Sequence, residues 1–215
     1  SYTEIFKSQR IAEASAISCE ILKVAPSVEA IVYRAANHTT GGRVILNPHG
    51  GPHSCYHPGW NPPFCALLQL GFSIAQVNYR GSTGFGQASL ESLPGHIGDH
   101  DVQDCIAALD HVVDVYKFNS TFVMGGSHGG FLTLHVIGQH PERFKAAAAR
   151  NPVANLAGEL CSTDIPDWVI SEGGVEGDNF VVTAENMAKL YARSPICHVL
   201  KVSCPVLLLI GTLDR

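Results

Sequence analysis

The sequence predicts an α/β fold, a mostly parallel central sheet with helices on both faces. From residue 43 onward, short apolar runs typical of buried strands alternate with runs whose apolar positions recur every three or four residues. The residues at 121–130, TFVMGGSHGG, have the order strand, tight turn, helix. Before residue 43, two β-branched runs at 19–24 and 28–33 flank Ala-Pro-Ser, which predicts an antiparallel hairpin at the sheet edge.

The other elements follow from the same patterns. We predict strands at 43–46, 72–78, 122–124, 145–149 and 205–210, the last one fully buried, and helices at 64–70, 98–116 and 184–193. The helix at 98–116 has the clearest periodicity, and we assign its acidic residues Asp99, Asp101 and Asp104, with His100, to a solvated face. Residues 154–180 are less regular, and we interpret them as an inserted segment that lies over the site.

Composition limits the class of protein. A chain of 215 residues that is 46% hydrophobic can bury one sizeable core, and nothing marks a second domain. The net charge is −5 with no cluster of Lys or Arg, which argues against nucleic-acid and membrane partners. The seven cysteines are scattered without Cys-x-x-Cys spacing, so we expect reduced, core-packed thiols and a cytoplasmic location. No signal peptide or membrane span is predicted.

The strand–turn–helix segment contains Gly-x-Ser-x-Gly, with Ser127 at its centre. Glycines two residues away on each side allow the backbone to pack closely around a strained turn, which exposes the hydroxyl group at the sheet edge. We therefore predict that Ser127 is a catalytic nucleophile. The alternative is a glycine-rich turn whose serine only caps the following helix.

A serine nucleophile needs a histidine base and a carboxylate that orients it, and on this architecture the chain order is Ser, Asp or Glu, His. Asp214 follows the predicted strand 205–210 and is the candidate carboxylate, although glycine-aspartate turns of this kind are common. No histidine follows Asp214, and the side chain of His128 points the wrong way to serve its neighbour. The expectation is that the catalytic histidine lies outside this chain.

The oxyanion of an acyl-transfer reaction needs two N–H donors. We predict the backbone N–H groups of His128 and of Gly51, the latter in an Asn-Pro-His-Gly-Gly-Pro loop after the strand at 43–46. His49, His53 and His57 are spaced four apart, but the prolines and glycines around them exclude a helix. They are therefore interpreted as loop histidines, and neither a metal nor a cofactor is predicted.

Together these motifs resemble the prolyl oligopeptidase family of serine peptidases (peptidase family S9), and within it the acylaminoacyl peptidases. The segments that carry the resemblance span most of the chain after residue 40: PHGGPHS at 48–54, VNYRGSTGFGQ at 77–87, MGGSHGGF at 124–131, ARNPV at 149–153 and STDIPDW at 162–168.

The resemblance implies an α/β-hydrolase catalytic domain that releases an N-acylated amino acid from the amino end of short peptides. It also implies an N-terminal β-propeller and a homo-oligomer in the cytosol. On this view residues 1–215 form a single, partial domain, incomplete at the C-terminal edge of its sheet, without the propeller and the segment that bears the histidine. We expect this chain by itself to be nearly inactive and poorly soluble.

Two alternative functions remain open at this point. An esterase or thioesterase of the same fold would share Ser127 and the oxyanion loop. A catalytically inactive fragment or pseudoenzyme would also fit, because the chain contains no histidine after Asp214.

Overall fold

A computed structural model describes residues 17–35, 41–59, 61–175 and 183–211. The strands are β1 (Ile17–Ala25), β2 (Val28–Ala35), β3 (Arg43–Pro48), β4 (Phe72–Asn78), β5 (Ser120–Gly126), β6 (Ala147–Arg150) and β7 (Val206–Leu209). The α-helices are α1 (Pro62–Gln69), α2 (Gln87–Glu91), α3 (His100–Tyr116), α4 (His128–Gln139), α5 (Leu156–Glu159), α6 (Pro166–Gly173) and α7 (Ala184–Ala192), and a 3-10 helix spans Pro195–Lys201.

The strands form one sheet in the order β1-β2-β4-β3-β5-β6-β7. The pairs β1–β2 and β2–β4 are antiparallel, and all later pairs are parallel. The register places Ile45 of β3 opposite Ile74 of β4 on one side and Phe122 of β5 on the other. The predicted edge hairpin and the mostly parallel sheet are both confirmed.

Both faces of this sheet are covered, as β2 shows most directly. Successive side chains of a strand point to opposite faces. Ala30 and Val32 belong to the large buried cluster that includes residues of α3 and α4, whereas Ile31 and Tyr33 pack with Phe64 and Leu68 of α1. Helices therefore lie on both faces, which confirms the predicted layers. No helix in the described ranges is both long enough and apolar enough to cross a bilayer.

The prediction for the last strand was partly wrong. β7 forms, and it pairs with β6 in parallel, but its residues from Val206 to Leu209 are all exposed, with Leu207 58% accessible. Within the described part of the chain, no strand or helix covers the other side of β7. An apolar strand is buried on both faces only where neighbouring elements cover it, and the local sequence does not show whether they do.

Other differences are smaller. Among the seven cysteines only Cys105 is buried, and Cys19 and Cys161 are exposed, so the expectation of core-packed thiols was wrong for most of them. The segment at 154–180 contains two short helices, α5 and α6, and the five-residue α2 was not predicted. β6 begins two residues later than expected.

Candidate active site

Ser127 lies between β5, which ends at Gly126, and α4, which begins at His128. Its backbone has φ 55° and ψ −127°, a conformation that residues other than glycine rarely adopt and that costs about 1–3 kcal/mol. The Ser127 N–H donates to the Arg150 carbonyl over 3.0 Å, which ties the turn to β6, and the residue is exposed. The strand–turn–helix prediction is confirmed, with the serine at the apex of a strained turn.

The glycines of the motif are required by close backbone contacts. A Cβ atom on Gly125 would overlap the carbonyl oxygen of Gly129, and one on Gly129 would overlap the carbonyl oxygen of Pro48. Glycine therefore allows β3, β5 and α4 to meet around Ser127.

Residues 49–54, which we call the HGGP loop, follow β3 and lie beside Ser127. A Cβ atom built on Gly50 would be 3.4 Å from the Cβ atom and 3.9 Å from the Oγ atom of Ser127. Gly51 has φ 125°, which favours glycine. Within the described residues, neither the Gly51 N–H nor the His128 N–H has a hydrogen-bond acceptor, which leaves both groups free to bind a ligand.

The side chain of His128 points into the core, away from the Ser127 hydroxyl group. Its Nε2–H donates to Oδ2 of Asp101 over 2.9 Å, and both side chains are fully buried. The other carboxylate oxygen, Oδ1, accepts the N–H groups of Gly98 (2.8 Å) and Val102 (3.0 Å). As predicted from the motif, the His128 side chain does not face the Ser127 hydroxyl group.

This pairing corrects the solvated face that we predicted for α3. Asp101 is 0% exposed and Asp104 is 6% exposed, and Asp104 receives two hydrogen bonds from the Arg80 guanidinium group, at 2.7 and 2.8 Å. His100 is half-buried and its ring stacks on His96 at 4.3 Å. Helical periodicity located the apolar positions, but it did not indicate that Arg80 in the loop after β4 and His128 of α4 would help to bury two of the carboxylates.

Two of the loop histidines, His49 and His53, have protein partners. Nε2 of His49 is 2.7 Å from the Ser82 hydroxyl group, and the ring stacks on Tyr79 at 4.3 Å. Burial lowers the pKa of His49 to about 4, which keeps the ring neutral at neutral pH. The Nδ1–H of His53 donates to the Gly81 carbonyl over 2.8 Å. No described histidine is hydrogen-bonded to Ser127, and Asp214 lies outside the described residues.

A family model described as the prolyl oligopeptidase family matches residues 58–215. The chain belongs to the prolyl oligopeptidase family. It is 45% identical to human acylamino-acid-releasing enzyme over 175 residues, which are 80% of this chain and 24% of that protein. It is 42% identical to the Arabidopsis thaliana protein of the same name over 194 residues, 87% of this chain and 25% of that one.

The chain thus spans about a quarter of the length of these relatives. Among solved structures, it resembles the uncomplexed acylaminoacyl peptidase of Pyrococcus horikoshii with a TM-score of 0.81 at 22% identity, over 97% of this chain and 33% of that one. The structural match supports the α/β-hydrolase fold. The Gly-x-Ser-x-Gly turn lies within the residues that the family model matches.

A cavity of about 570 Å³ opens beside Ser127. Its lining includes Ser127, Arg150 and residues 162–165. This volume is typical of small-molecule and peptide-residue sites. Our interpretation of 154–180 as a segment over the site agrees with this lining.

Three residues near the loop and the cavity were not predicted from the sequence. Arg150 ends β6, and its position at the carboxyl end of a parallel strand was a usable signal, since sites are built there. Trp168 and Glu172 of α6 contact the HGGP loop. They lie more than 100 residues from it in the chain, and no pattern in the sequence connects them to it.

Proposed function

We propose that this chain is the nucleophile-bearing part of a serine peptidase that releases an N-acylated amino acid from the amino end of short peptides. The observation that carries the proposal is the strained, exposed Ser127 together with the backbone N–H groups of His128 and Gly51 next to it, which have no acceptor among the described residues. A nucleophile beside preorganised donors is the arrangement that acyl transfer requires.

In this mechanism the Ser127 oxygen attacks the carbonyl carbon of the acylated residue, and its proton moves to a histidine base. The negative charge that develops on the carbonyl oxygen is stabilised by the two N–H groups. The base then protonates the leaving amine as the C–N bond breaks, which yields an acyl-enzyme. Water hydrolyses the ester and restores the hydroxyl group.

The base and its orienting carboxylate belong to the proposal. We assign the carboxylate to Asp214 and the base to a histidine in a segment that follows Arg215 in the intact protein. Three described histidines are next to the serine in sequence or in the HGGP loop: His128, His49 and His53. All three are hydrogen-bonded to other groups, which supports this assignment.

The substrate class rests on two kinds of support. Relatives more than 40% identical over most of this chain are named acylamino-acid-releasing enzymes. The cavity beside Ser127 has a volume suited to one small acylated residue. We further propose, from the family resemblance, that the intact protein has an N-terminal β-propeller, forms a homo-oligomer, acts in the cytoplasm and needs no cofactor.

The test is labelling of the full-length protein with a fluorophosphonate probe. We expect labelling of the wild type, its loss in Ser127→Ala, and its retention in Ser203→Ala, a control at an exposed serine outside the cavity. Unchanged labelling of Ser127→Ala would refute the assignment of the nucleophile. A wild type that does not react would favour the pseudoenzyme.

Substrate comparison separates the remaining alternatives. We expect the full-length protein to cleave acetyl-alanyl peptides, whereas an esterase or thioesterase would prefer aryl esters or thioesters. Residues 1–215 alone should retain at most about 10³- to 10⁴-fold acceleration over the uncatalysed reaction, since they lack the base. A normal enzymatic rate from this chain would contradict the proposed location of the base.

A further inference from the structure

Helix α6 contacts the HGGP loop through two side chains on one face. Trp168 and Glu172 are four residues apart, a spacing that places them side by side on a helix. The indole Nε1–H of Trp168 donates to the Gly51 carbonyl over 2.9 Å. Oε1 of Glu172 is 3.3 Å from Nε2 of His53. The two contacts lie on either side of Pro52.

The hydrogen bonds of His53 show which of its ring nitrogens faces Glu172. Because Nδ1–H of His53 donates to the Gly81 carbonyl, Nε2 is the ring atom that faces Glu172. With a proton between Nε2 and Oε1 the two groups are hydrogen-bonded, and the donor is the ring as imidazolium or the carboxyl group as carboxylic acid.

The surroundings of Glu172 indicate a specific role. The residue is 5% exposed, and its second oxygen, Oε2, has no hydrogen-bond partner in the described part of the chain. Burial raises the pKa of this carboxyl group, His53 and His128 oppose that shift, and Asp101 adds to it. An incompletely satisfied buried carboxyl group destabilises a fold, and its presence calls for an explanation other than stability.

Helix α6 is itself held firmly. The Glu172 carbonyl accepts the N–H of Gly95 over 2.9 Å, and the Gly173 carbonyl accepts a hydrogen bond from the Arg193 guanidinium group. At the other end of α6, residues 163–165 line the cavity that contains Ser127. The helix therefore connects the wall of the cavity to the HGGP loop.

We propose that Trp168 and Glu172 are positioning residues that hold the HGGP loop where the Gly51 N–H faces the oxyanion. Trp168 fixes the carbonyl group of Gly51, the residue that carries this N–H, and Glu172 fixes His53 two residues later. The inference rests on the proposed function for the role of Gly51, but the contacts themselves are independent of it.

The first test measures the loop directly, by hydrogen exchange of the 49–56 segment in the full-length protein. Trp168→Phe keeps an aromatic ring and removes the N–H, and Glu172→Leu keeps a buried side chain of similar size and removes both carboxylate oxygens. We expect exchange at the segment to accelerate about five- to tenfold in each variant, the effect of one lost hydrogen bond. Ser171→Ala, at an exposed position of the same helix, is the control and should exchange like the wild type.

The second test is kinetic and uses the same three variants. A misplaced oxyanion donor lowers kcat, so we expect kcat to fall about five- to tenfold in Trp168→Phe and Glu172→Leu with KM within about twofold of the wild type. The melting temperature of Trp168→Phe should stay close to that of the wild type, which separates positioning from folding.

The outcomes separate the two proposals. Wild-type exchange at 49–56 in both variants, or an effect on KM with kcat unchanged, would overturn the positioning role. If instead the wild-type protein fails to react with the fluorophosphonate probe, the proposed function is wrong, and the exchange measurement still decides whether α6 holds the loop.

Discussion

The Cα atom of Gly129 lies directly against the carbonyl oxygen of Pro48, so the first turn of α4 touches the end of the strand that leads into the HGGP loop. This contact joins the two elements that supply the proposed oxyanion donors. The glycines around Ser127 therefore allow the tight serine turn, and they also allow the HGGP loop to pack close to it.

Replacing Gly129 with alanine should destabilise the fold. The added methyl group would overlap the Pro48 carbonyl, and because the obstacle is backbone, neither side can move easily. We expect a loss of about 1–3 kcal/mol in the free energy of unfolding, measured by urea denaturation. The matched control is Gly59→Ala, where the new Cβ atom would meet the His57 carbonyl at an ordinary 3.8 Å. Equal stability of the two variants would contradict this account.

Asp101→Asn tests the buried pair beneath the serine. Asp101 accepts hydrogen bonds from His128, Gly98 and Val102, and an amide in its place presents an NH2 group to one of these donors. If that group faces His128, the ring proton must move to Nδ1, which has no partner within the described ranges. We expect a loss of about 1–3 kcal/mol in unfolding free energy.

The control for this variant is Asp114→Asn. Asp114 is exposed and paired with Lys117 on the surface, so its replacement should leave the unfolding curve unchanged. A neutral effect of Asp101→Asn in the same assay would mean that the carboxylate is not needed to hold His128.

The stability of the chain should decrease in mild acid because of two buried histidines. Burial lowers the pKa values of His49 and His135 to about 4, from 6.5. Between these values the unfolded chain binds protons that the folded chain does not. Each histidine thus contributes stability that is present above pH 6.5 and is lost as the pH falls toward 4.

His135→Gln isolates one of these contributions, because His135 lies in α4 with its ring away from the serine. Relative to the wild type, we expect the variant to gain up to about 3 kcal/mol in unfolding free energy as the pH is lowered from 7 to 4. Urea denaturation at several pH values gives this difference. A pH-independent difference would show that His135 titrates normally.

Residues 1–215 expressed alone should associate through β7. The four residues of β7 and the following Ile210 are all exposed and apolar, and apolar edge strands promote edge-to-edge association. Leu207→Lys should raise the fraction of monomer in analytical ultracentrifugation. Leu200→Lys is the control, since Leu200 is 98% exposed but lies outside the strand. A monodisperse wild type that melts cooperatively would refute the prediction.

Much of this molecule could be predicted from its sequence because the signals are local. The Gly-x-Ser-x-Gly turn, the edge hairpin and the alternation of strands and helices depend on spacing and on glycines within a few residues of each other. The placement of Ser127 at the apex of a turn followed from these alone. The sequence also predicted correctly that the His128 side chain would point away from the Ser127 hydroxyl group.

The remaining features depend on contacts between distant segments. The pairing of His128 with Asp101 spans 27 residues, and the hydrogen bond from Trp168 to the Gly51 carbonyl spans 117. Periodicity shows which face of a helix is apolar, but it does not show which partner will bury a carboxylate. The sequence by itself determined the order of the elements and the position of the candidate nucleophile, Ser127, in its turn. Tertiary structure decided that two acidic residues of α3 are buried, that β7 is exposed and that α6 contacts the HGGP loop, because burial and hydrogen bonding depend on neighbours that packing brings together.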